Sequence, residues 1–148
     1  MSRPFVSALC LLLFVTPVFA SGVKAPDSDK IAELEQRAEK AQPDQQCYLF
    51  AQLVSQMGDV VDRQLASGDV HAAQQSLAKM EAYAGKIHQT INPKDKKLKE
   101  SEILVRHAAR RVEGMFQQAA YDQQDMFRGA MHKLNALQAE LMLNVFQR

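Results

Sequence analysis

Beyond the first twenty residues, the side chains that could carry metal or redox chemistry are one cysteine, four histidines and six methionines. The histidines are His71, His88, His107 and His132, and none lies three or four residues from another. Three positions before them stand Gly68, Gly85, Leu104 and Gly129, so the Glu-x-x-His element of di-iron bundles is absent. The favoured reading is solvated or core-edge histidines, since a metal site would have to be assembled between helices. The methionines (Met57, Met80, Met115, Met126, Met131 and Met142) offer thioethers, which suit Cu(I). Met57, Met80, Met115 and Met131 fall on apolar stripes, where methionine fills gaps in a core. Cys47 could join two chains in an oxidising compartment. Phe50 and Val54 share its helical face, however, which favours burial as a small apolar residue. There is no Cys-x-x-Cys-His, no glycine-rich phosphate loop and no Ser-His-Asp signature. The expectation is a protein that is not an enzyme, with no catalytic residue, metal ligand or cofactor assigned.

Charge is the more informative chemistry. From Asp27 to Asp69 there are nine acidic and four basic residues; from Lys79 to Arg111 there are nine basic and four acidic. Within the basic part, Lys99, Arg106 and Arg110 fall near one helical face, which makes them a candidate interaction surface. Glu102–Arg106 and Arg110–Glu113 have the spacing of helical ion pairs. This polarity reads in two ways. It can match one hairpin to another within the fold, or it can dock an acidic partner, anionic lipid heads or wall polymer.

These residues must be positioned by helices. Mature Pro is confined to Pro26, Pro43 and Pro93, and the stretches between are rich in Ala, Gln, Leu, Lys and Met. Asp27 or Ser28 can cap a first helix with Ile31, Leu34, Ala38 and Ala41 on one face, ended by Pro43. A second helix runs from about Asp44 to Ser67 through Cys47, Phe50, Val54, Met57, Val61 and Leu65. Gly68 fits its C-terminal stop and Asp69 the next N-cap, a connection so short that the two helices form a hairpin. The third helix carries Val70, Ala73, Leu77, Met80, Ala84, Ile87 and Ile91 at alternating spacings of three and four, the seam of a coiled-coil-like bundle. Asn92-Pro93 stops it and suits the start of the fourth. That helix has Leu98, Val105, Ala108, Ala109, Val112, Met115, Phe116 and Ala119 on one stripe and Ile103 opposite. After a turn near Tyr121-Asp122, the last helix points Phe127, Ala130, Met131, Leu134, Leu137, Leu141 and Val145 inward. Gly58, Gly85, Gly114 and Gly129 lie inside helices, where each costs about 1 kcal/mol relative to Ala and can mark a close helix contact. No segment alternates with period two, so no sheet is expected. The fold class is all-α: helical hairpins forming an elongated four- to five-helix bundle.

The N-terminus supplies the address. Residues 1–20 carry one charge, Arg3, then an apolar run from Phe5 to Val15, Pro17, and Val18-Phe19-Ala20 with small residues at −3 and −1 of a cut. This is the layout of a cleavable secretory signal. The run is too short for a span, which needs about 20 apolar residues. Cys10 follows Leu9, where lipidation wants a small residue. The expected division is a signal peptide over 1–20, a disordered lead over 21–27 and a bundle domain over 28–148. The product would be periplasmic or secreted. Without Arg3 the chain has 17 basic and 17 acidic residues, and that neutrality argues against nucleic acid as a partner. With only Cys47 left, an internal disulfide framework is excluded.

Two resemblances add to this. Gly68-Asp69-Val70-His71-Ala72-Ala73, with Leu77, looks like the middle of a tetratricopeptide hairpin, a peptide-binding scaffold. Val61 and Gln64 depart from its consensus, and no second copy follows at that period. Cys47-Tyr48-Leu49, Ala51-Gln52-Leu53-Val54, the turn Ala66-Ser67-Gly68-Asp69, and Lys97-Leu98-Lys99-Glu100-Ser101-Glu102-Ile103 with Arg106, Arg110 and Arg111 resemble a group of short, uncharacterised secreted proteins of environmental bacteria. That similarity spans about Asp44 to Phe146 and implies export and an all-helical domain, with no activity attached.

The functional expectation is a non-catalytic exported bundle that binds an envelope protein or itself. The alternatives are attachment to anionic membrane or cell-wall polymer through 94–111, and periplasmic metal or redox handling.

Overall fold

Pro43, Gly68 and Pro93 punctuate the chain in the computed structural model, which describes residues 26–147. Five α-helices and one short 3-10 turn make up the fold, with no strand among the described residues. They are α1 (Pro26–Lys40), α2 (Pro43–Ala66), α3 (Val70–Thr90), α4 (Leu98–Gln118) and α5 (Asp125–Phe146), with the 3-10 turn at Tyr121–Gln123. Residues 1–25, on which the expected signal peptide with Arg3 and Cys10 and most of the expected lead over 21–27 fall, lie outside the described residues. Helix α1 starts at Pro26, slightly ahead of the cap read at Asp27 or Ser28.

Local chemistry explains the boundaries. Pro43 both ends α1 and opens α2, where its missing N–H costs no helical hydrogen bond. Gly68 has φ +80°, the left-handed conformation that glycine adopts without a Cβ clash. Asp69 then caps α3, its carboxylate accepting from the Ala72 N–H at 3.0 Å. The fourth helix departs from the sequence reading. It begins at Leu98 rather than at Pro93, because two side chains organise the intervening turns. Asn92 Oδ1 accepts from the Lys94 N–H at 3.0 Å, and Asp95 Oδ1 from the Lys97 N–H at 2.8 Å.

Helix α2 packs against α1, α3 and α4, while α5 packs against α3 and α4. Helices α3 and α4 are consecutive in sequence but diagonal in the resulting ring. Each hairpin is antiparallel, and the two are laid side by side. Arg111 late in α4 meets Asp59 and Asp62 late in α2, so α2 and α4 run parallel. His88 and Glu140, both late in their helices, show the same for α3 and α5. The segment 91–97 therefore crosses one end of the bundle and brings Asp95 and Leu98 into it, both buried.

The core follows the stripes. Ala73, Leu77, Met80, Ala84 and Ile87 of the α3 seam are buried, with Ile91 half-buried. They meet Phe50, Leu53, Val54, Val61, Val105, Val112, Phe127, Leu134 and Leu141, each at most 2% exposed. Burying a Leu or Phe side chain stabilises the fold by about 1.5–3 kcal/mol, so this face dominates stability. Ile103 is half-buried, on the flank of α4 rather than fully opposite the core.

Helix α1 lies over the α2–α3 hairpin. Leu34 and Ala38 are buried under it, Glu39 pairs with Lys86, Asp27 pairs with Arg63 at 2.8 Å, and Glu35 hydrogen-bonds Tyr83. No described helix covers the outer side of the α4–α5 hairpin.

Candidate interaction face

Helix α4 buries Leu98, Ser101, Glu102, Val105, Ala108, Ala109, Val112 and Met115. At 100° per residue this leaves Lys99, Arg106 and Arg110 together on its solvent flank. Lys99 and Arg110 are exposed and enter no ion pair among the described residues. Arg106 is half-buried, with its guanidinium 3.8 Å from Glu102 Oε1, the i,i+4 pair expected from the sequence. No ion pair joins Arg110 to Glu113 among the described residues.

The neighbouring flank belongs to α5. Arg128 lies over the Phe116 ring at 5.6 Å from its centroid, which sets the register of the antiparallel pair. Counting equal steps away from that contact puts Leu98 level with Phe146, and Glu102 level with Met142. Phe146, five turns beyond Arg128, projects from the same flank as Arg128, toward α4. Met142 is 41% exposed, Leu143 64% and Phe146 80%. These are three of the four exposed large apolar side chains among the described residues; the fourth, Tyr121, stands at the opposite end of the hairpin. The apolar end of α5 thus lies level with Lys99 on α4, while Arg110, level with Leu134, stands about 12 Å further along the pair.

Part of the charge polarity of the sequence is absorbed within the fold. Lys86 answers Glu39, and Arg111 answers Asp59 and Asp62, so the basic half matches the acidic half across α1–α3 and α2–α4. What remains outward is most of the basic set: Lys79 on α3, Lys94, Lys96 and Lys97 in the crossover, and Lys99 and Arg110 on α4, all exposed. The apolar members were not read from the sequence as a site, although Met142, Leu143 and Phe146 fall off the inward stripe that ends in Leu141 and Val145. The structure shows that full burial on α5 ends at Leu141, which leaves them outside the core.

Cys47 is fully buried at the α2 end of the bundle. Burial pushes its thiol up to about 11; Ser101 beside it pulls the value back and the Asp95 charge adds to the rise. A protonated, shielded thiol fits the packing role, and bridging two chains through it would require opening this end of the fold. Met57, Met80 and Met115 are buried and Met131 half-buried, whereas Met142 is exposed. Among the described residues no group of three or more His, Cys, Asp or Glu side chains is placed to hold a metal ion. The His88 ring meets Glu140 at 2.6 Å on the surface.

No protein-family model, curated protein or solved structure matches this chain. No described helix is long and apolar enough to cross a membrane.

Proposed function

We propose that this chain is a non-catalytic, exported helical bundle that works by binding another protein of the cell envelope, through the outer face of the α4–α5 hairpin. The observation that carries this reading is the grouping of exposed Met142, Leu143 and Phe146 at the end of α5 that lies level with exposed Lys99 on α4. Exposed apolar clusters rimmed by charge mark contact surfaces on soluble domains. The contrast with the other hairpin supports it, since α1 covers that one. Export rests on the leader-like residues 1–20.

A photo-reactive residue at position 143 tests the binding claim in envelope extract. A discrete adduct is expected that disappears when Lys99 and Arg110 are both changed to Glu, with the circular dichroism unchanged. No adduct, or one equally strong from a reporter at exposed Gln74 on α3, would overturn it. Intact-mass analysis of the exported product is expected to show a chain starting at Ser21, and a retained leader would remove the export claim.

One observation favours a second reading, attachment to anionic membrane. Lys94, Lys96 and Lys99 are exposed at the end of the bundle where Phe146 stands. Cations around an inserted aromatic are how peripheral proteins hold anionic lipid. Co-sedimentation with phosphatidylglycerol vesicles should then fade as salt rises; binding that ignores salt counts against it.

A further inference from the structure

Helix α1 sorts its charges. Glu35 and Glu39, one turn apart, face α3, where they meet Tyr83 and Lys86. Glu33, Gln36, Arg37 and Lys40 share the other side, by the i, i+3, i+4, i+7 spacing of a helix. That side walls an open groove of about 710 Å³ between α1 and the start of α2. The crossover closes the groove with a third cation, Lys97, whose Nζ sits 4.3 Å from the centroid of the Tyr48 ring.

Three cations therefore converge on one concavity. None of Arg37, Lys40 or Lys97 enters an ion pair among the described residues, although α1 and α2 belong to the acidic half of the sequence. The one carboxylate in the lining, Glu33, forms none either. Three cations outnumber the single carboxylate of the lining, so a net positive charge is gathered there that an anion placed among them relieves. The Arg37 guanidinium is a planar fork suited to carboxylate or phosphate oxygens.

The rest of the lining selects the kind of anion. Gln36, Gln45 and Gln52 contribute amides, each able to donate and accept. Gln52 Nε2 already donates to the Tyr48 hydroxyl at 3.2 Å, which holds that phenol at the rim. Ala41 and Leu49 supply a small apolar patch. Three amides beside three cations are the complement of a ligand rich in hydroxyls that also carries negative charge. We propose that the α1–α2 groove is a binding site for an anionic saccharide, carboxylated or phosphorylated. It lies apart from the α4–α5 face and stands independently of the protein-binding reading.

Heteronuclear NMR titration of the isotope-labelled chain tests this with four named probes: trigalacturonate, glucose 6-phosphate, maltotriose and sodium phosphate. Trigalacturonate or glucose 6-phosphate is expected to shift the resonances of Arg37, Tyr48, Gln52 and Lys97 together, and which of the two binds tighter identifies the charged group. Maltotriose should leave them in place, and sodium phosphate should bind at least about tenfold more weakly than the better anionic sugar, because it lacks the hydroxyls. Arg37→Glu and Lys97→Glu are each expected to weaken sugar binding by about tenfold or more, as charge-assisted contacts are lost. Gln45→Leu, which keeps every charge, should weaken the sugar and leave phosphate unaffected. Sodium phosphate binding as tightly as either sugar would overturn the saccharide assignment. Shifts scattered over the surface, or no shift with either anionic sugar, would overturn the site.

Discussion

Arg111 on α4 ion-pairs with Asp59 on α2, and its side chain lies across Gly58, where an added methyl would come 3.2 Å from Arg111 Cδ. Asp62, one turn on, stands 3.8 Å from the same guanidinium. The pair ties the two parallel helices together, yet both partners are about half exposed. Exposed pairs contribute about 0.2–1 kcal/mol. A double-mutant cycle of Arg111→Ala and Asp59→Ala, read by urea denaturation, should return a coupling in that range that shrinks in high salt.

Alkali should destabilise the protein through Cys47. Its folded value of about 11 lies above the ordinary 9.0, so the folded state holds the proton more tightly than the unfolded chain. The associated stability is fully present below about pH 9 and is lost as pH rises toward 11, by roughly 2–3 kcal/mol. Tyr83, raised from 10.0 to about 12 by burial and then by Glu35 and Glu39, acts in the same direction at higher pH. Urea midpoints measured across this range should fall, and Cys47→Ala should flatten the part between pH 9 and 11. The native thiol should also react with a disulfide reagent at pH 8 far more slowly than the unfolded one.

Gly85 and Gly114 sit mid-helix with nothing within 4 Å of an added Cβ. Replacing each with Ala should stabilise the protein by about 0.5–1 kcal/mol, visible as a raised thermal midpoint. Gly129 is different, because its methyl would meet Glu81 Oε1 at 2.6 Å. The obstacle is the end of a flexible side chain, so Gly129→Ala should gain less than Gly85→Ala.

Leu134 and Leu143 separate packing from surface on one helix. Leu134 is 0% exposed and Leu143 64%. Leu134→Ala should cost about 2–5 kcal/mol in denaturation. Leu143→Ser should stay within about 0.5 kcal/mol, while reducing any partner adduct formed at the α4–α5 face.

The all-helical class and most helix ends were legible from local sequence. Gly68 and Asp69 form a turn whose chemistry needs no distant partner. The α3 repeat from Val70 to Ile91 shows a helix its core face, because period is a local property. The start of α4 was not legible at Pro93, since it depends on how Asn92 and Asp95 fold back on their own backbone. The candidate face was half legible: Lys99, Arg106 and Arg110 share a flank by spacing alone. Met142, Leu143 and Phe146 joined Lys99 only once the α4–α5 register and the limit of the core were set.

The sequence by itself determined which stretches are helices, which side of each is apolar, and that the chain is close to neutral, with a net charge of +1, but polarised. The tertiary structure decided which charges meet. Laying the hairpins in parallel register spends Arg111 on Asp59, and α1 spends Glu39 on Lys86. The diagonal crossover carries Lys97 to Arg37 and Lys40, residues far away in sequence. Helical periodicity is written into neighbouring residues, whereas the grouping of side chains from α1, α2 and the crossover exists only after the helices have packed.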